Sequence, residues 1–268
     1  MRRLNQEETT ATLGSYGLDR PRGPGFAFRD RAQSTFYDWH AHEYHQLIYA
    51  LAGATQIESE CARYLLPTGR AAWIPAGVRH RTLMSHIEGA SIYFAPDTVT
   101  DEPSRVRIIV ATPIMREMIL HALRWPLGAS EVDPVAASFF RTLALMSKEW
   151  LESELPLSLP GAVHPGIVRA MDYALGDPGA ATQAGALSAA GVSERTFRRV
   201  FLRETGMGWQ AWLGQARILA AMALLTEGRR VTDVALEVGY KSLSAFAKAF
   251  SQLIGEPPGA FRRRAARR

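Results

Sequence analysis

The rhythm of hydrophobic and polar positions changes along the chain. Residues 1–25 show little periodicity and several Gly and Pro, so a loose arm is expected there. From Phe36 the apolar positions alternate and glycines interrupt them: FYDWHAHEYHQLIYALAGATQIESECARYLLPTGRAAWIPAGVRHRTLMSHIEGASIYFAP. A period of two with frequent turns reads as short antiparallel strands, ending at Gly53, Gly69, Gly77 and Gly89, in a small barrel or sandwich.

Beyond Pro103 the period lengthens to three or four. Val106, Ile109, Val110, Ile114, Met118, Ile119 and Ala122 predict a helix over 103–125, which Pro113 interrupts near its start. Val135, Phe139, Leu143, Met146 and Trp150 predict a second helix over 134–151, with Asp133 as N-cap and Pro134 at the first helical position. The pair makes an αα-hairpin. It either packs on the strands or joins two subunits, and the two roles are compatible. ESELPLSLPGAVHPG (152–166) is Pro-rich and reads as an interdomain linker.

The last hundred residues carry short amphipathic helices punctuated by glycine. One starts at Pro165 and ends near Gly176, and another ends near Ala190 with Gly191 at the turn. Ser193 then caps SERTFRRVFLRETG, where Phe197, Val200 and Phe201 face inward and Arg195, Arg198 and Arg199 outward. Trp209 to Leu225 is a long helix with Trp212, Ala216, Leu219, Ala220, Ala223 and Leu224 as its apolar stripe, roughly 26 Å long at 1.5 Å per residue. In RVTDVALEVGYKSLSAFAKAFSQLIGEPPGAF (230–261), Thr232 caps a helix that Gly239 ends. Ser242 caps the next, which buries Leu243, Phe246, Ala247, Phe250 and Leu253 or Ile254 and is stopped by Pro257-Pro258. Each half of this region is a helix-turn-helix, whose second helix can enter a DNA major groove.

Composition narrows the choices. With 47% hydrophobic and 21% charged residues, the 268-residue chain is of ordinary globular composition and long enough for about two domains. A single cysteine, Cys61, excludes an internal disulfide framework and fits a reducing cytoplasm. Its neighbours Glu58 and Glu60 do not favour a thiolate, so an inert thiol is expected. MRRLNQEETT lacks the apolar core of a signal peptide, and no run approaches the ~18 apolar residues of a membrane span. Residues 161–268 hold 15 Lys+Arg against 8 Asp+Glu, whereas the first 160 hold 16 against 18. A basic half beside a slightly acidic one points to nucleic acid at one end and another task at the other.

VTDVALEVGY, the S-x-S-x-F-x-K-x-F that follows, Gly255, Pro257-Pro258 and Arg262 closely resemble the signature of AraC/XylS-type transcription regulators, as does GVSERTFRRVF upstream. One departure is Leu187, four residues before Gly191, where the family carries a small residue such as Ala235. His40, His42, Gln46 and Gly53, then Gly69, Pro75, Gly77 and His80, fall at the spacing of the two cupin motifs. Gln46 stands for the usual Glu and Met84 for the usual late Asn. The resemblance implies an α+β protein: a cupin-like β-barrel sensor (1–102, arm 1–25), a helical hairpin with dimerisation and linker roles (103–160), and an all-α DNA-binding domain with two helix-turn-helix units (161–268). It implies a homodimer in the cytoplasm that binds double-stranded promoter DNA, recruits RNA polymerase and responds to a small-molecule effector. HQLIYALAG and AAWIPAGVRH also resemble stretches of regulators that control neighbouring drug-efflux transporters.

Arginine matches guanine O6 and N7 bidentately, so Arg195, Arg198 and Arg199 are candidate base readers, the alternatives being solvated or intrahelically paired side chains. Ser244, Lys248 and Leu243 hold the corresponding places in the second unit, Leu243 suiting a thymine methyl, and Lys241, Arg262 and Arg263 suit phosphates. On one strand His40, His42 and Gln46 share a face and His45 the other. With His80 they could hold a divalent transition metal, or they are relict histidines around an organic ligand. Tyr44, Trp73 and Met84 either line a ligand pocket or belong to the core. A metal-dependent cupin enzyme with an attached DNA-binding domain is the rival reading. It lacks a carboxylate base on that strand face, Glu43 having the wrong parity, so the chain reads as a non-enzyme. A DNA-bending protein would not need the histidines.

Overall fold

The computed structural model describes residues 2–20, 22–99, 105–152, 154–155 and 157–266. They form two compact units, one from residues 1–59 and 64–156, the other from 60–63 and 157–268.

The first unit opens with β1 (Arg2–Leu4) and α1 (Gln6–Ser15). The expected loose arm is thus structured. β1 pairs in parallel with β2 (Gly25–His40). α1 starts in a capping box in which the Asn5 side chain accepts from Glu8 N and the Glu8 carboxylate accepts from Asn5 N, both at 2.9 Å. Then come β3 (His45–Ser59), β4 (Ala62–Pro67), β5 (Arg70–Ile74), β6 (His80–Phe94) and β7 (Arg107–Val110). Three strands are long. Gly53 lies inside β3 and Gly89 inside β6 rather than ending them, while Gly69 and Gly77 turn the chain at positive φ as expected.

β7 corrects the expected helix over 103–125. Its four-residue apolar run is compatible with either period, and pairing with β5 decides it. The helix is shorter, α2 (Pro113–Ala122), with Thr112 as N-cap and Pro113 at its first position, a start rather than an interruption. The expected beginning at Pro103 lies outside the described residues. α3 (Ala129–Val132) precedes α4 (Pro134–Leu151), which has its expected bounds, the Asp133 carboxylate accepting from Val135 N and Ala136 N. α4 buries Ala136, Phe140, Leu143, Ala144, Ser147, Trp150 and Leu151, a stripe turned from the expected one, since Val135 is 67% exposed. β8 (Glu154–Leu155) pairs with β7.

The ladders run β1-β2-β6-β3-β5-β7-β8, with β4 on β3. This corrects the expected barrel: among the described residues the ladder is an open path and does not close. Alternation along the strands divides the sheet into two faces. Ala27, Leu47, Tyr49, Ala90, Ile92 and Phe94 pack with Met115 and Ile119 of α2 and Phe140, Leu143 and Trp150 of α4. Their chain neighbours Phe28, Gln46, Ile48, Ser91 and Tyr93 face the other way, into a cavity. The helical hairpin therefore packs on the sheet, and fully burying a side chain such as Phe140 contributes about 2–3 kcal/mol.

The second unit holds β9 (Ser158–Pro160) and, among the described residues, seven helices: α5 (Pro165–Gly176), α6 (Gln183–Ala190), α7 (Glu194–Thr205), α8 (Trp209–Thr226), α9 (Val231–Glu237), α10 (Leu243–Ile254) and α11 (Pro258–Ala266). α8 is the central rod. It buries Trp209, Trp212, Leu213, Ala216, Ile218, Leu219, Ala221, Met222 and Leu225, more of its circumference than the expected stripe, and Ala220, Ala223 and Leu224 are only half-buried. Trp212 Nε1 donates to Pro160 O at 2.9 Å and Gln215 Nε2 to Ser158 O at 2.6 Å, so the end of the Pro-rich stretch is a strap on this rod. The N-cap of α9 is Arg230, not Thr232. Pro258 does not only end α10; it starts α11, whose Phe261 packs on Phe250.

The loop before α6 and the end of α9 meet backbone to backbone. A methyl group on Gly179 would overlap the Glu237 carbonyl oxygen, and one on Gly239 would lie 2.6 Å from Gly179 O. Arg217 of α8 clamps the same loop, donating to Pro178 O at 2.9 Å and to Gly179 O and Ala181 O at 3.3 Å.

Candidate effector cavity and nucleic-acid interface

α7 and α10 are built alike. Each has 12 residues, a Ser N-cap accepting from the amide three residues on (Ser193 from Thr196 N, Ser242 from Ala245 N), and a glycine in the left-handed region at its end (Gly206, Gly255). Phe197 and Phe201 anchor α7 to Trp209 and Trp212 of α8. Phe246 and Phe250 anchor α10.

Their outer faces differ. Arg195, Arg198 and Arg199 are exposed on one side of α7 with Leu202. Arg198 pairs with Glu194 one turn earlier at 2.5 Å, whereas Arg195 and Arg199 have no partner among the described residues. On α10, Leu243 is 46% exposed and Ser244 and Lys248 are exposed, with Lys241 just ahead of the cap. Arg262 is half-buried and Arg263 exposed on α11. Leu243 was also expected in the buried stripe of its helix, and its exposure corrects that; Arg267 and Arg268 lie outside the described residues. The two turns differ as well. α6 ends at Gly191, which donates to Leu187 O, while α9 ends at Val238 with Gly239 beyond it and Tyr240 N donating to Ala235 O at 2.9 Å. Leu187 is half-buried, and Ala186 and Ala190 take the fully buried places.

In the first unit, the cupin-motif residues come from different elements. His40 ends β2, His42 lies in the following turn, Gln46 is on β3 and His80 begins β6. His40, His42 and Gln46 were expected on one strand face; instead the strand ends at His40 and the turn brings them together. Ring centroids are 4.2 Å apart for His40–His80, 5.2 Å for His42–His80 and 6.2 Å for His40–His42. His45 points away as expected and stacks on Trp73. In each of the three rings Nδ1 meets a backbone oxygen at 2.7–2.8 Å (Asp38, Tyr44, Val78), which fixes the proton on Nδ1 and leaves Nε2 as an acceptor. Burial lowers the pKa of all three rings, that of His42 to about 4, so they are neutral at pH 7. His42 Nε2 lies 3.1 Å from the Gln46 amide, a contact satisfied when the amide presents its NH2. His80 Nε2 is buried and has no hydrogen-bond partner among the described residues.

His40, Gln46 and His80 line a cavity of about 140 Å³ with Leu13 and Tyr16 of α1, Phe28, Asp30, Tyr37, Ile48, Thr82, Met84, Ser91 and Tyr93. Of the three expected pocket residues only Met84 lines it. Tyr44 is 1% exposed; its hydroxyl accepts from Arg22 N at 2.6 Å, and its ring packs edge-on to Phe26 and Tyr93. Trp73 belongs to the core, stacked on Phe94, because all five residues of β5 are buried. Asp30, Ser91 and Tyr93 were not legible as site residues. Ser91 Oγ donates to Asp30 Oδ2 at 2.6 Å, and Gln46 contacts Ser91 at 3.2 Å and Tyr93 at 2.7 Å. Burial pushes the Asp30 carboxyl up to about 6, against the pull of the Ser91 hydrogen bond.

The AraC-like ligand binding domain model matches residues 23–159, half of the chain, and a helix-turn-helix domain model matches 187–264. The chain belongs to the AraC family of transcription regulators. This AraC-type chain is 30% identical over 226 residues to the HTH-type transcriptional regulator NimR of Escherichia coli (strain K12), covering 83% of its own length and 81% of NimR. It is 39% identical over 75 residues to the HTH-type transcriptional activator RhaR of Klebsiella pneumoniae, 28% of this chain and 27% of RhaR. Among solved structures, ToxT of Vibrio cholerae O395 aligns over 91% of this chain and 98% of its own at 10% identity and a TM-score of 0.40. The family is one of regulators, which sets the enzyme reading aside. Among the described residues no helix is long and apolar enough to cross a membrane.

Proposed function

We propose that this AraC-family regulator binds promoter DNA as a homodimer in the cytoplasm, reading bases with Arg195, Arg198 and Arg199 of α7 and with Leu243, Ser244 and Lys248 of α10. Lys241, Arg262 and Arg263 hold phosphates. A small-molecule effector in the sheet cavity changes how the DNA-binding domains sit and thereby the recruitment of RNA polymerase. The sensor, with its hairpin, and the DNA-binding domain divide near residue 160, while the expected boundary near residue 102 falls inside one compact unit; the apolar residues exposed on the hairpin, Ile114 and Leu145 among them, supply the dimer contact. The observation that carries the reading is the pairing, in one chain, of a cavity lined by inward polar groups with a helix whose exposed face is arginine. The resemblance of HQLIYALAG and AAWIPAGVRH to efflux regulators makes a neighbouring transporter gene the target. A promoter fragment upstream of that gene tests this: the wild type should shift it and the triple variant R195A/R198A/R199A should not. Equal shifts would remove α7 from the interface.

A second reading concerns metal. The chemistry of three imidazole Nε2 acceptors and one amide suits a borderline divalent ion, and His80 Nε2 lacks any other partner. Against it, no three or more His, Cys, Asp or Glu among the described residues form a metal-holding group. Metal content by mass spectrometry on untagged protein separates the two. About one equivalent in wild type, lost in His40→Ala, supports His40, His42, Gln46 and His80 as ligands, and none in either makes them structural.

A further inference from the structure

Asp30 is a charge without a counter-ion. Its carboxylate lies inside the cavity, where Ser91 is its only side-chain donor among the described residues. The flanking arginines do not help. Arg29 and Arg31 are exposed at the rim and both pair with Glu88, at 3.0 and 3.2 Å. Asp30 is half-buried; a carboxylate partly withdrawn from water without a counter-charge is costly, and such a group in a cleft is a candidate binding residue. The rest of the lining points the same way. His80 Nε2 is a buried acceptor with no donor among the described residues. Phe28 and Tyr93 stack at 5.4 Å, and Tyr16 stacks on Phe28 at 5.1 Å, so a cluster of aromatic rings lines the same cavity as the carboxylate. Aromatic faces attract cations. The volume matches the roughly 150 Å³ that accepts a benzene-sized molecule.

We infer that the effector is a small flat cation bearing N–H donors, of the amidinium or protonated nitrogen-heterocycle class, which seats its N–H groups on the Asp30 carboxylate and its ring against Phe28 and Tyr93. This inference deepens the effector-sensing reading and rests on it. An amidinium matches a carboxylate through two parallel N–H···O bonds, as a guanidinium does, and brings the charge that the site lacks. An anion would meet Asp30, and the two lining arginines, Arg29 and Arg31, are already paired with Glu88; a neutral polyol would leave the charge uncompensated.

The test compares isosteres on the full chain in the presence of EDTA, by calorimetry and melting temperature. Benzamidine should bind at least about tenfold more tightly than benzamide, which differs only in lacking the charged amidinium. Benzoate and a neutral pentose should bind weakly or not at all. Asp30→Asn should abolish the preference for benzamidine over benzamide. Equal binding of benzamide or pentose, a preference for benzoate, no binding of benzamidine, or an unchanged preference in Asp30→Asn would each overturn the inference. The wild-type series stands even where the variant folds poorly. Benzamidine that binds but leaves promoter occupancy and transcription unmoved would leave the ligand class intact and sink the sensing reading instead.

Discussion

Asp30 and the arginines of α7 are both charges without full compensation, but they are held in opposite surroundings. Asp30 lies inside a cavity, its carboxyl raised to about 6 by burial. Arg195 and Arg199 stand on an exposed helix face, where water and salt screen them. A charge in a cavity is sensitive to pH and to one well-shaped partner. A charge on an open helix is insensitive to pH, sensitive to ionic strength, and suited to a polyanion of any sequence until a base edge meets it.

The largest effect should come from the open face. Converting Arg195, Arg198 and Arg199 together to Ala should lower operator affinity by roughly a hundredfold or more, at about 1–3 kcal/mol per base contact. Discrimination against base-substituted operators should relax at the contacted positions, measured by fluorescence anisotropy across a set of operator variants. Discrimination that does not change would take α7 out of base reading. The cavity should answer to pH instead. The folded pKa of Asp30 is above its unfolded value of 3.8, so folding favours the protonated carboxyl. Native protein is therefore destabilised as pH rises from about 4 through about 6. Asp30→Asn, a neutral mimic, should be more stable than wild type at pH 7 by on the order of 1–2 kcal/mol, the difference vanishing below pH 4 in denaturant titrations. A gain that persists at pH 3.5 would mean that packing, not charge, is at work.

Smaller effects sharpen the contrast within the interface. Ser193→Ala and Ser242→Ala should each cost about 1 kcal/mol of stability by thermal melting, since both hydroxyls accept from the third helical amide. Lys241→Ala should weaken DNA binding by less than about 1 kcal/mol and equally across sequences, and unequal losses would make it a base reader.

What the sequence revealed follows from how local each signal is. The bounds of α4 and the caps of α7 and α10 were legible because Asp133-Pro134, Ser193 and Ser242 act on the next three amides. The Asn5 to Glu8 capping box was there to be read too, and the lack of periodicity around it hid α1. The strand at Ile108–Ile109 was not legible, because a short apolar run becomes a strand only through a neighbour more than thirty residues away. The cavity failed for the same reason. The histidine motif was visible, but Asp30 meets Ser91 across 61 residues of sequence, and only the pairing of β2 with β6 puts them together. Trp73 stayed open between pocket and core in the sequence because nothing local tells a core-facing residue from a cavity-facing one on a strand buried on both sides.

The contact between Gly179, Glu237 and Gly239, with Arg217 closed over it, ties the loop before α6 to the end of α9, and on the proposed function it makes α7 and α10 parts of a single template. A template of fixed pitch constrains the promoters it can serve. Base substitutions in either box change the energy of one contact, and selection can tune them one at a time. A single inserted base pair between the boxes displaces the second by about 3.4 Å and turns it by about 35°, and no small adjustment in the protein absorbs that. The regulon should therefore drift by substitution and stay fixed in spacing, so that the distance between the boxes, more than their letters, is what a genome inherits from this protein.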